Sequence, residues 1–325
     1  MWVRVERSLL PDAESGAHLW ADRFGIGPAN LDQAQNEIVG RLARTLGRKL
    51  VAAASLRIER QRPIDTDPQD LLVHGWAIFN RATTATILRE AQAVFEQVLE
   101  IEPASIGARI GIGYALAVNV ANYWSTSVEK DKARAEQLLL EAIEQDANSA
   151  RARAALGVLR RLQNRLDESR IELETAVAPE PNFAAAFWML GTTLILLGQP
   201  EAAILIGEKG LRLSQYGEAV PIGYMTMGQA HLLMGHVDQA IEFARRARAS
   251  NPRLYFTHTL LAAALGLKGE LDEARAALAE AIKLRPEFNS LARWRAYMTW
   301  GSPEYWALRE RTTHVGLRRA GMPDE

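Results

Sequence analysis

Apolar positions change their period along this chain. Val3, Val5 and the pair Leu9-Leu10 alternate with polar residues, a turn-forming run follows at 12–16, and AHLWADRF at 17–24 offers a second extended stretch. Alternation bounded by turn residues predicts a β-hairpin. After Asn30, a good N-cap residue, Leu31, Ala34, Ile38, Leu42, Leu46 and Leu50 recur every three or four residues, which predicts a helix reaching about Leu56. QRPIDTDPQD at 61–70 contains two prolines and three aspartates and reads as a linker. Beyond it the helical period returns and persists to Pro286.

Within that region the pattern repeats. Leu156-Gly157, Leu190-Gly191, Met227-Gly228 and Leu261-Ala262 occupy equivalent positions, at successive spacings of 34, 37 and 34 residues. Ala203, Ala240 and Ala274 keep step, as do Ala176, Gly210, Ala247 and Ala281, and the prolines Pro181, Pro252 and Pro286 close the copies. Two looser copies precede them, one on Gly75, Ala91, Phe95 and Pro103, the other on Ile112-Gly113, Ala135, Leu139 and Ala142. Their extra residues, around 83–86 and 122–131, are expected to be loop excursions. Small anchors let two antiparallel helices approach closely, proline stops the second helix, and Gly198, Gly235 and Gly269 supply the turns between helices.

The anchors and their period resemble the tetratricopeptide repeat (TPR) over roughly two thirds of the chain. The resemblance implies a mainly α fold: a TPR-type right-handed α-α superhelix of about six repeats, with a small N-terminal β-hairpin plus helix and a C-terminal capping helix. The expected organisation is a hairpin-plus-helix unit at 1–60, the linker at 61–70, the solenoid at 71–286 and capping helices at 287–325. Within the last segment, Phe288 to Thr299 is read as a capping helix. Ser302-Pro303-Glu304 reads as an N-cap, a proline at the first helical position and an acid in the first turn of a final helix running towards Ala320.

A second resemblance sits at the start. DAESGAHLWADRF followed by QNEIVGRLARTLGRKLVAA is similar to the end of the TolB-amino-terminal-like domain, which in many bacterial proteins lies between an effector, often a class III adenylate or guanylate cyclase or a winged-helix regulator, and a TPR array. SPEYWALRERTTHVGLRRAGMPDE resembles the ends of those cyclase-associated chains. The resemblance implies the regulatory half of such a protein, without the cyclase domain and its metal-binding aspartates, and a nucleotide cyclase as one possible partner.

Composition narrows the function. Lys plus Arg is 38 against Asp plus Glu 39, a net charge of −1, so no global field recruits nucleic acid or an anionic membrane. The chain has no cysteine, which suits a reducing cytosol and a cytoplasmic protein. The start carries charges where a signal peptide needs an apolar core, and the most apolar run, 184–198, is too short to span a bilayer. Neither G-x-x-x-x-G-K-[ST] nor G-x-G-x-x-G occurs, and no nucleophile elbow does, so catalytic and cofactor-binding residues are expected to be none. The six histidines form no ligand pair with a carboxylate at metal spacing. His231 and His236, five apart, are expected on different helical faces. The arginine clusters 160–161 with Arg165, 245–246 with Arg248, and 318–319 are diluted by acids and read as solvated helix faces. Trp294, Trp300 and Trp306 read as buried in the cap.

What remains is a non-enzymatic interaction module. TPR resemblance places the concave, partner-binding positions on the first helix of each repeat, here Tyr114, Trp188, Thr192, Ile195, Met225, Gln229, Leu232, Phe256 and Thr259. The lysine and asparagine pattern of chaperone-binding clamps is missing from them. Such a groove suits an apolar or amphipathic segment of a protein or peptide partner. The competing expectations are that these residues pack against neighbouring helices, or that the chain's own ends fill the groove. The alternative function is a regulatory subunit or detached regulatory tail of a nucleotide cyclase.

Overall fold

A computed structural model describes residues 4–11, 18–26, 67–82, 84–180, 182–213 and 220–325. The backbone of β1 (Arg4–Pro11) pairs antiparallel with β2 (His18–Ile26), Arg4 opposite Ile26 and Leu10 opposite Trp20, with an irregularity between Leu10 and Pro11. The expected helix at 30–56, most of the linker and the closing Pro181 lie outside the described residues.

Six antiparallel helix pairs follow: α1 (Pro68–Asn80) with α2 (Ala85–Ile101), α3 (Ile106–Ala121) with α4 (Val128–Gln145), and α5 (Ala150–Leu162) with α6 (Leu166–Val177). Then come α7 (Ala184–Leu196) with α8 (Pro200–Leu213), α9 (Val220–Leu233) with α10 (Val237–Ser250), and α11 (Tyr255–Lys268) with α12 (Leu271–Leu284). Polar residues start several of them. Asp67, Thr84 and Ser149 each accept a hydrogen bond from a backbone N–H in the first turn, which offsets an orphan donor. Successive first helices contact one another along the array, whereas no comparable contact joins successive second helices. The first-helix row therefore forms the tighter, concave side.

The anchors act as the repeat requires. Ala91, Ala135, Ala203, Ala240 and Ala274 are fully buried where paired helices touch. In the third repeat the equivalent residue is Ser169, whose hydroxyl meets the Thr193 hydroxyl at 2.9 Å. A Cβ on Gly157 would lie 2.6 Å from Leu173, so a larger residue there would separate α5 from α6. The turns between paired helices adopt positive φ at Gly198, Gly235 and Gly269, and Tyr123 (φ 56°) and Asn164 (φ 58°) take that conformation in the second and third repeats.

Two expectations about the looser copies change. The excursion after α3 is only residues 122–127, because 128–131 already belong to α4, and the remaining excess lengthens α2, α3 and α4 to 17, 16 and 18 residues. The C-terminal cap is also more broken than a single helix at 288–299. A 3₁₀ turn (Pro286–Phe288) leads to the short α13 (Leu291–Tyr297). After a bend comes α14 (Pro303–Arg309), a π turn (Glu310–His314) and α15 (Val315–Arg319), ending near the expected Ala320. Ser302 is the N-cap, accepting from the Tyr305 N–H, with Pro303 in the first turn.

Candidate functional site

The C-terminal segment crosses the concave side. The Gly301 N–H donates to Asn164 Oδ1 at 2.9 Å at the end of α5, and the Ser302 N–H donates to the Leu196 carbonyl at 2.8 Å at the end of α7. Gln229 of α9 reaches the Tyr305 hydroxyl at 3.4 Å. At α11 the backbones nearly touch, since a Cβ on Gly316 would lie 1.9 Å from the Ala263 carbonyl oxygen and one on Gly266 would lie 2.0 Å from the Gly316 oxygen. The excursion after α3 holds the other side. Tyr123 stacks on Trp300 with ring centroids 5.6 Å apart, and Arg285 donates to the Asn122 carbonyl at 2.9 Å. The chain's own end thus covers the inner surface from the C-terminal ends of α3, α5 and α7 across α9 to α11.

An unusual buried cation anchors this segment. Arg309 is 2% exposed, lies 4.3 Å over the Trp294 ring, and donates to the Tyr305 hydroxyl at 2.8 Å and to His314 Nε2 at 3.2 Å. Rings and neutral acceptors replace a carboxylate here. Burial and the Arg309 charge push His314 down to about 3, which keeps it a neutral acceptor. His314 Nδ1 is 3.0 Å from Glu310, but that carboxylate is also held by Arg295 and Arg318, so it does little to favour an imidazolium. Trp294 is buried as expected, while Trp300 and Trp306 are half-buried against the solenoid.

This arrangement sorts the sequence-selected groove residues. Trp188 is 2% exposed and wedged between Gly210 of α8 and Gly223 of α9. Ile195 and Leu232 are fully buried, and Thr259 is buried with its hydroxyl on the Tyr255 carbonyl. Those four side chains serve helix packing. Thr192 bonds the Trp188 carbonyl and the Thr226 hydroxyl, Met225 packs beside the core around Leu232, Gln229 is engaged by Tyr305, and Phe256 lies 3.9 Å from the Tyr255 ring. Tyr114 belongs to a different neighbourhood, half-buried on the concave side beside the core around Phe95 and Leu156, against which Trp300 of the C-terminal segment also packs.

There a half-buried strip runs from α1 to α7. Trp76 and Phe79 meet at 5.3 Å, Phe79 and Tyr114 at 4.9 Å, and the Tyr114 hydroxyl reaches Met189 Sδ at 3.7 Å. Arg151 lies 4.4 Å over the Trp76 ring, and Arg161 approaches Tyr114 from the other end of α5. Burial pushes the Tyr114 phenol up to about 12, so it keeps its proton. Sequence reasoning missed Trp76, Phe79, Arg151, Arg161 and Met189. The signal was available, because the positions one and four residues after the anchor glycine, which name Thr192 and Ile195 in the fourth repeat, name Trp76 and Phe79 after Gly75 and Arg161 after Gly157.

Elsewhere the polar clusters are structural. Arg160, on the outer side of α5, bonds Glu136 and lies 3.7 Å from Glu168, and Arg165 pairs with Glu168. Burial would raise the Glu136 carboxyl, but hydrogen bonds from Arg160 and Gln163 and the charges of Arg160 and Arg165 prevail and lower it. His231 and His236 correct the expectation of separate faces. They lie on successive elements joined by the Gly235 turn, with Nδ1 atoms 3.3 Å apart. No group of three metal-ligating side chains occurs among the described residues, and no helix among them is long and apolar enough to cross a membrane.

Comparison with known proteins agrees with the repeat pattern. The family described as Tetratricopeptide repeat matches residues 257–288, which span α11 and α12. The solved structure titled as the APC/C hetero-tetramer Cut9-Hcn1 superimposes with a TM-score of 0.58 at 16% identity, over 86% of this chain and 51% of that one. A structure from the functional characterisation of Pseudomonas aeruginosa pilF gives a TM-score of 0.49 at 18% identity, over 75% of this chain and 97% of that one. The fold is a TPR-type α-solenoid. In sequence, the chain is 28% identical over 167 residues to a Rhizobium meliloti (strain 1021) protein named "Putative adenylate cyclase 3". That alignment covers 51% of this chain and 28% of the relative's length.

Proposed function

We propose that this chain is a non-catalytic protein-interaction module, cytoplasmic in location, whose open stretch of concave groove takes a peptide segment of a partner protein. One observation carries the reading: the Trp76, Phe79, Tyr114 and Met189 strip is only half-buried, while the chain's own end lies against the inner surface from the ends of α5 and α7 to α11. Aromatic and thioether surface with a few polar groups suits an apolar or amphipathic segment, binding through area and adaptable packing. The apolar groove read from Trp188, Ile195, Leu232 and Thr259 does not support binding, because those side chains are already spent on helix packing. A photo-reactive phenylalanine analogue at Phe79 tests the reading against the same probe at Leu205, which is 64% exposed on a second helix. Partner peptides should cross-link from position 79 and not from 205. Equal cross-linking from both would refute groove binding.

A second reading rests on the alignment with the adenylate cyclase-named relative. In it the chain acts as a regulatory part of a nucleotide cyclase, in cis or in trans. Adding the purified chain to its cognate cyclase should change the rate of cyclic-nucleotide synthesis. An unchanged rate at saturating chain would end this reading and leave the first intact.

A further inference from the structure

The half-buried strip carries two guanidinium groups that form no ion pair among the described residues. Arg151 and Arg161 mark the two ends of the inner side of α5, ten residues and about 15 Å apart along the helix axis. Their neighbour Arg160 turns outward to Glu136 and Glu168. Arg161 has no ion pair or side-chain hydrogen bond among the described residues, although most of it is buried. Burial pushes its guanidinium down to about 10, so it remains a cation at neutral pH but a poorly hydrated one. Arg151 lies on the Trp76 ring, and Glu180 influences it through space without forming an ion pair.

Between the two stands the Tyr114 hydroxyl, protonated and engaged only by a thioether sulfur. A thioether is a weak acceptor, which leaves the phenol proton free for a better one. The strip therefore offers two cations, one O–H donor and the aromatic walls of Trp76 and Phe79, and among the described residues no carboxylate forms an ion pair with either cation, Glu180 acting on Arg151 only through space. A desolvated cation without a counter-charge is costly in an isolated protein and favourable once an anion arrives.

Building on the groove reading above, we infer that this stretch binds an acidic peptide segment, its carboxylates on Arg151 and Arg161 and an apolar or aromatic side chain against Trp76, Phe79 and Tyr114. The spacing sets the sequence of such a segment. An extended peptide advances about 3.3 Å per residue, so acids four or five positions apart match the separation of the two arginines. Two cations facing an aromatic wall do not make the continuous basic track that a nucleic-acid backbone requires, and the chain's net charge of −1 supplies no wider field for one.

The test pans the full chain against a randomised decapeptide library, with wild type, Arg161→Gln, the Arg151→Gln/Arg161→Gln double variant and a Phe79→Ser/Tyr114→Ser double variant as baits. Circular dichroism checks that each bait keeps its helicity: Arg161→Gln breaks no ion pair or side-chain hydrogen bond among the described residues, and Arg151→Gln gives up its stacking on the Trp76 ring of α1. Wild type should enrich peptides with Asp or Glu four or five positions apart. A synthetic peptide of that type should lose about tenfold in affinity to Arg161→Gln and a similar factor when its acids become Gln, recover in part with Arg161→Lys, and weaken as salt rises. Enriched peptides that need Phe79 and Tyr114 but show no acidic preference would overturn the charge inference and leave the groove reading standing. Wild type enriching nothing beyond the Phe79→Ser/Tyr114→Ser bait would overturn both.

Discussion

Replacing Gly316 by alanine should detach the C-terminal segment from α11 while leaving the helical array intact. The added Cβ would lie 1.9 Å from the Ala263 carbonyl oxygen, 2.7 Å from its carbon and 3.0 Å from its Cα. An ordinary C···O contact needs about 3.3 Å, so α15 must withdraw by about 1.4 Å. No rotamer change can relieve a clash between two backbones. A gap of about 1 Å already forfeits up to half of each dispersion contact along the interface. Leu317, Ala320 and Met322, all nearly fully buried against α11, lose their partners together. Burial of Leu317 and Met322 stabilises docking by about 1.5 to 3 kcal/mol each, which caps the loss near 6 kcal/mol, and overpacking alone costs about 3. Repeat arrays open locally, so the readout is local too. Hydrogen exchange of residues 291–325 should accelerate about 100-fold, with α5 and α6 unchanged. Gly321→Ala is the control: its φ of +98° strains an alanine, but nothing lies within 4 Å of the added Cβ. Exchange within threefold of wild type in Gly316→Ala, or equal effects of both variants, would refute the steric argument.

Other outcomes follow from the same geometry. His314 binds a proton at about pH 6.5 when unfolded but only near pH 3 in place, so cap docking is strongest above pH 6.5 and weakens progressively as pH falls from 6.5 towards 3. The loss is about 2 kcal/mol at pH 5, visible as faster exchange of residues 303–322 that His314→Gln flattens. Trp188→Ala should cost about 3 to 5 kcal/mol in denaturant titration, because it empties the space between α7, α8 and α9, and not simply abolish partner capture as a surface substitution would. Glu136→Gln, by uncoupling the nearly buried Arg160, should cost about 1 to 3 kcal/mol, and thermal unfolding equal to wild type would show that Glu168 alone satisfies that arginine.

The repeat pattern was legible because each copy solves a local problem. Gly157, Ala203 and Gly235 are small or achiral for reasons within one helix pair, and a period near 34 residues exposes them. Ser302 as a cap and Pro303 behind it were legible for the same reason. The choice among Trp188, Ile195, Leu232 and Tyr114 was not. All four sit on first helices, and only the close packing of consecutive repeats decides that three are buried in the interior while Tyr114 stays half-buried against Met189.

By itself, then, the sequence determined the helix pairs, their number and the residues that let them touch, since those depend on contacts a few tens of residues apart. Tertiary structure decided everything that joins distant segments: Tyr123 under Trp300, Arg285 on Asn122 across 163 positions, His231 against His236 around a turn, and Gly316 pressed on Ala263. Such contacts leave no period in the chain, because each is made once. The same holds for the two arginines left facing a half-buried wall. Their residue types were visible, but the lack of an ion pair at either among the described residues is a property of the assembled surface.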